Sequence, residues 1–141
     1  MALTVRTAEY YYLRIANDQA KAYELLARLA TDAVNLLAFS AVPYGSTLEL
    51  TLFPDKPESL VSAAVKEGWN LTGPQHAILI QGDDHLGATA DIHRCLNSAG
   101  VQIYASSGLT DGHGHFGYVI YFREGDYREA VRALDQVMAA R

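Results

Sequence analysis

The feature that most constrains this chain is that it repeats itself. At an offset of 67 positions Leu13 falls on Ile80, Leu25 on Ile92, Leu29 on Leu96 and Val34 on Val101. A repeat of this kind limits the fold to two copies of one supersecondary unit, each burying its own apolar face. Patterning within each copy then says what the unit is. In the first, the aromatic run at residues 10–15 predicts a strand that ends at Asn17-Asp18, a helix start. Ala22, Leu25, Leu26 and Leu29 follow at helical spacing. The apolar stretch 33–41 reads as a buried strand, Pro43-Tyr44-Gly45-Ser46 as a turn, and the strict alternation over 47–52 as a strand with one wet face. Asp55 and Glu58 suggest a capping box, with Pro57 in the first turn. Leu60, Val61, Ala64 and Val65 give a second helix, which Gly68 ends. A brief edge strand is expected at 69–71 and a break at Thr72-Gly73-Pro74.

The second copy has the same order. Residues 77–81 predict a strand and Gly82-Asp83-Asp84 a loop whose aspartate caps a helix. Ala88, Ile92, Cys95, Leu96 and Ala99 make the helical stripe, with Gly100 as its stop. Residues 101–105 alternate as a strand, 107–115 read as a glycine-rich turn region, and 117–122 as a strand. A capping pair at Asp126 and Glu129 opens a last helix carrying Tyr127, Ala130, Val131, Leu134 and Val137. This order is the βαββαβ, ferredoxin-like unit. The expectation is an α+β chain of two such repeats, residues 1–73 and 74–141, each an antiparallel sheet with helices on one face. The second copy leaves no room after its last helix for a final strand.

Composition excludes several classes. Eleven basic against sixteen acidic residues give a net charge of −5, which disfavours nucleic acid as a partner. The single cysteine, Cys95, excludes a disulfide framework within the chain and falls on an apolar helical stripe. No apolar run approaches the ~20 residues of a membrane helix, and the first residues lack a secretory pattern, so a cytoplasmic protein without a membrane partner is expected.

Residues 77–103 resemble the ACT domain signature. The elements are an apolar strand, the loop Asp84-His85-Leu86-Gly87, a helix with a late Leu96, and the strand Gly100-Val101-Gln102-Ile103. Leu86 stands where proline is common and Gln102 where asparagine is common. The first copy is similar but weaker, with Asn17-Asp18-Gln19-Ala20 as its loop and Ala20 in place of the glycine. The resemblance implies a regulatory module that binds a free amino acid beside another unit, without a cofactor. Its pocket would be built from Asp84, His85, Leu86, Gly87 and Ala88. Val101, Gln102 and Ile103, from the same chain or a partner copy, would form the wall. The absent final strand and the open sheet edges make a homodimer the expectation, and a regulatory output is expected to run through a protein partner.

Elementary chemistry supports such a pocket. A helix amino terminus offers unpaired N–H groups and a positive dipole end to a carboxylate. Gly87, lying inside the helical pattern, lets a ligand approach the backbone or lets helix and strand pack tightly. Asp83 and Asp84 suit an ammonium group. The other reading is a ligand-free ferredoxin-like module for interaction or dimerisation, because open sheet edges need covering. A small enzyme on this fold is the least supported reading. The sequence holds no Gly-x-Ser-x-Gly elbow, phosphate loop or His-Glu-x-x-His, and Ser106-Ser107 lacks a base beside it. Asp111-Gly112-His113-Gly114-His115 has a ligand-like alternation, but glycine at alternate positions suits a hairpin tip better than a metal site. Tyr10-Tyr11-Tyr12 reads as core rather than as a base-stacking platform.

Overall fold

The computed structural model describes residues 3–123 and 125–139. Ten elements follow in the order β1 (Leu3–Ala16), α1 (Gln19–Thr31), β2 (Leu36–Tyr44), β3 (Thr47–Pro54), α2 (Pro57–Glu67), β4 (Thr72–Asp83), α3 (Ala88–Ser98), β5 (Ile103–Thr110), β6 (His115–Phe122) and α4 (Tyr127–Ala139). The chain is α+β, and its order is two copies of βαββα. It divides into two compact units, residues 9–75 and residues 3–8 with 76–139.

The unit of residues 9–75 has the strand order β2-β3-β1, with the first residues of β4 beside β1. β1 and β3 are antiparallel, with Leu13 opposite Leu50 and Tyr11 opposite Leu52. Those four side chains share one face and bury Leu25 and Leu29 of α1 and Leu60 and Ala63 of α2. Tyr10 lies on the other face, stacked on Phe53 at 5.0 Å between ring centroids, so Tyr10 and Tyr11 are both core. β2 was expected to be buried. It is the edge strand, paired on one side only, and Phe39, Val42 and Tyr44 are exposed. The β2–β3 hairpin turns through Gly45 at φ +63, the first central position that a type II′ turn reserves for glycine.

The other unit has the order β4-β6-β5, with residues 3–8 of β1 beside β4. Leu3 and Val5 pack on the core of Ile78, Ile80, Ile120, Phe122, Ile92, Leu96 and Leu134. The first residues of the chain thus take the place of a fourth strand beside β4, although the repeat boundary expected after Gly73 puts them with the other copy. Cys95 is half-buried against this core, and its thiol donates to the Ala133 carbonyl at 3.3 Å.

Several local expectations are corrected. Thr72-Gly73-Pro74 does not break the chain but opens β4, and residues 69–71 form no strand. Glycine is needed there because a Cβ on Gly73 would come within 2.9 Å of the Tyr10 carbonyl oxygen. Lys56, not Asp55, is the N-cap of α2, and no side chain caps it. β5 continues through residues 107–110, so the glycine-rich turn is confined to the tip after Thr110. Val101 precedes β5 and is buried in the core, and Gly100 stops α3 in the left-handed conformation at φ +73. The side chain of Val137, expected on the α4 stripe, lies outside the described side chains, which end at Asp135 in that helix.

Candidate functional site

The loop between β4 and α3 is shaped by backbone hydrogen bonds. The Asp84 N–H donates to the Gly114 carbonyl at 2.8 Å, tying the loop to the β5–β6 hairpin tip. The first copy repeats this bond, with Asn17 N–H donating to the Ser46 carbonyl at 2.9 Å. The two loops then diverge. In the first copy Asp18 is the N-cap of α1, and its carboxylate accepts from the Ala20 N–H at 2.9 Å. In the second copy the chain stays open for two more residues before α3 begins.

Gly87, not Asp84, is the N-cap of α3, and no side chain caps that helix. Gly87 therefore stands before the helix rather than inside it, at φ +86. A Cβ there would meet nothing within 4 Å, so the left-handed backbone, not tight packing, calls for glycine. The result is a helix amino terminus whose N–H groups receive no side-chain oxygen, next to open space.

That space is a cleft of about 490 Å³, an ordinary size for a small-ligand site. Asp84, His85, Leu86, Gly87 and Ala88 line one wall. Leu86 is fully exposed and Ala88 is buried. His85 is flanked by the end of β4 and by α3, with Nδ1 3.4 Å from the Asp83 carbonyl oxygen and Nε2 3.8 Å from an Asp91 carboxylate oxygen. The opposite wall comes from β5 and β6, through Gly108, Leu109, Thr110, Phe116, Gly117 and Tyr118. Five of the eight expected residues are thus brought together. Val101, Gln102 and Ile103 do not line this cleft. Val101 is core, Ile103 packs against the core, and Gln102 is exposed.

The sequence reading missed His93, Gly108 and Tyr118. Tyr118 is buried at 8% exposure, and its hydroxyl lies 2.6 Å from His93 Nε2 and 2.9 Å from Ser106 Oγ. Gly108 sits opposite Tyr118 in the β5–β6 ladder, where a Cβ would come 2.9 Å from Tyr118 Cδ1. No sequence spacing links these residues. Only the strand register and the placement of α3 beside β6 join them.

The hairpin tip has a structural task. Asp111 accepts from the His113 and His115 N–H groups at 2.6 and 3.1 Å, and its other oxygen lies 3.1 Å from His115 Nδ1. The backbone bond from His113, then those from His115, hold the Asp111 carboxyl below the usual aspartate range. Among the described residues no group of three or more histidine, cysteine or acidic side chains is gathered to hold a metal ion. Among them, too, no helix is long and apolar enough to cross a membrane.

No family model matches this sequence. No curated protein matches it either. Solved structures do match its fold. A protein from Bacteroides thetaiotaomicron superposes with a TM-score of 0.81 at 17% identity, covering 95% of this chain and 90% of that one. The ligand-free regulatory subunit of aspartate kinase from Thermus thermophilus gives 0.65 at 16% identity, over 95% of both chains. The regulatory subunit of aspartate kinase from Thermus flavus gives 0.59 at 15% identity, over 97% of this chain and 95% of that one. At these identities the likeness is one of fold, and it spans both copies of the unit. The chain has the tandem ACT-like, ferredoxin-like fold expected from its repeat.

Proposed function

We propose that this protein is a regulatory binding module whose effector is a small metabolite, an amino acid, held in the cleft beside α3. One observation carries the reading. The second copy leaves α3 uncapped behind a left-handed glycine, whereas the first copy caps α1 with Asp18. The open amino terminus suits the effector carboxylate through N–H groups and the helix dipole. Asp84, on the same wall, suits the ammonium group. The regulatory subunits with this fold support a regulatory role without naming an effector for this chain. The protein binds rather than turns over its ligand on this reading, works in the cytoplasm, and passes its signal to a regulated protein partner.

The reading includes a homodimer. Val101, Gln102 and Ile103 stand outside this chain's cleft, and Gln102 is the exposed member that a second copy could use as a wall. The ligand-free interaction module keeps one observation in its favour. Both edge strands, β2 and β5, carry exposed apolar side chains, among them Tyr44 and Tyr104. Thermal denaturation with each of the twenty amino acids separates the two readings. A ligand at a hundred times its dissociation constant adds about 2.7 kcal/mol, a shift of several degrees for a chain this size. Gly87→Leu strains the backbone by about 1–3 kcal/mol and fills the approach to the amides, so it lowers the melting temperature and abolishes the ligand shift. A full ligand shift in that variant contradicts the site. No shift for any amino acid in the unsubstituted protein leaves the interaction module.

A further inference from the structure

We propose that the effector carries an apolar side chain, and that Leu86 and Leu109, on the two walls of the cleft, are the specificity-determining residues that receive it. The inference deepens the effector reading and rests on it. Leu86, on the loop before α3, is fully exposed, and Leu109, on β5, is 80% exposed. Both line the cleft, and the buried Ala88 and Phe116 belong to the same lining. A single exposed leucine needs no explanation, because much of any protein surface is apolar. Two on opposite walls of one cleft, joined by two buried apolar residues, make a concave apolar surface suited to receive apolar matter. The first copy offers a control. At the offset of 67 the place of Leu86 is held by Gln19, beside the helix start that Asp18 closes with its own carboxylate. The leucine accompanies the open helix start, and the glutamine accompanies the closed one.

The charges of the cleft say what lies between the leucines. The uncapped α3 start suits a carboxylate and Asp84 an ammonium group, so a zwitterion is fixed by its polar end and only its side chain remains to be placed. Other polar groups nearby have partners within the chain. The Tyr118 hydroxyl lies 2.6 Å from His93 Nε2 and 2.9 Å from Ser106 Oγ, and Asp91 pairs with Arg94. A polar side chain laid against the leucines gives up water for apolar surface. An apolar one takes both surfaces out of water, and each methylene so removed is worth about fourfold in affinity. The class selected is amino acids with an apolar side chain of valine size or larger, over polar analogues of the same shape.

Calorimetric titration with paired amino acids tests this. Leucine is expected to bind at least about tenfold tighter than asparagine, which is nearly its shape, and valine tighter than threonine. The double variant Leu86→Ala, Leu109→Ala truncates two exposed side chains, so the melting temperature of the free protein stays in place. In it the leucine-to-asparagine ratio falls toward one, through loss of leucine affinity. Asparagine binding as tightly as leucine, or a ratio unchanged in the double variant, overturns the proposal and leaves the effector reading standing. Light scattering of both proteins reads the competing occupant. If the leucines are covered by a second copy of the chain instead, the double variant turns a dimer into a monomer and the ratio is near one from the start, which also overturns the proposal. Absence of binding by any amino acid overturns the proposal and the effector reading together.

Discussion

At the scale of single residues, what mattered most was how backbone N–H groups are satisfied. Gly87 and Asp18 stand at related helix starts and do opposite things. Asp18 fills an amide with its own carboxylate, and Gly87 leaves that place empty. Asp111 shows the same chemistry at the hairpin tip, where it accepts two N–H bonds. Its folded-state carboxyl lies below its unfolded value, so the stabilisation is complete above the ordinary aspartate value of about 3.9. It is lost as pH falls through the lower, folded value. Protection of the His113 and His115 amides, relative to their intrinsic exchange, should therefore hold from neutral pH down to about 4 and fall in stronger acid. Protection unchanged between neutral pH and the strongly acid range would show that Asp111 does not hold the tip.

At the scale of elements, the strand and helix order was legible because period-2 and period-3.6 patterns are local. Asp84 to Ala88 were legible as one wall of the cleft for the same reason, being contiguous in a loop. The other wall was not, because Gly108 and Tyr118 meet only through the β5–β6 register. β2 misled because apolar composition says what a strand prefers and not how many neighbours it has. Its residues 39–44 are all exposed at the sheet edge, on both faces. Capping is equally hard to read from residue type: Asp55 is the better capping side chain, yet the N-cap position falls on Lys56 and no side chain caps α2. The capping contrast has a measurable consequence. Asp18→Ala should cost about 1 kcal/mol in urea unfolding, the usual worth of an N-cap. The same variant should leave effector binding at α3 untouched. A cost below a few tenths of a kcal/mol would mean that Asp18 does not stabilise α1.

At the scale of the whole molecule, the offset of the two copies survives in details that the sequence could not display. The bulge between Leu36 and Ala38 in β2 has its counterpart between Ile103 and Ala105 in β5, at the same offset as the aligned core positions. Each copy kept its geometry while only one kept an open loop. The division of the chain was harder to read. A boundary placed after Gly73 assumes that each repeat is contiguous, whereas residues 3–8 belong with residues 76–139. Leu3 and Val5 alone carry little pattern, and their burial depends on Ile78 and Ile80, far along the chain. The double variant Leu3→Ala, Val5→Ala should cost about 2 kcal/mol, since both side chains are partly buried. Hydrogen exchange should rise in β4 and β6 before it rises in β3. Loss of protection confined to β3 would place those residues with the other unit.

The central claim is that the uncapped start of α3 is a binding site for a small zwitterion. The most direct measurement is an amide chemical-shift map of the protein titrated with the amino acid that gives the largest thermal shift. The account predicts saturable shifts at Gly87, Ala88 and Thr89, with smaller ones at the matching α1 start, where Asp18 already occupies an amide. Shifts that saturate elsewhere, or equally at both helix starts, would contradict it.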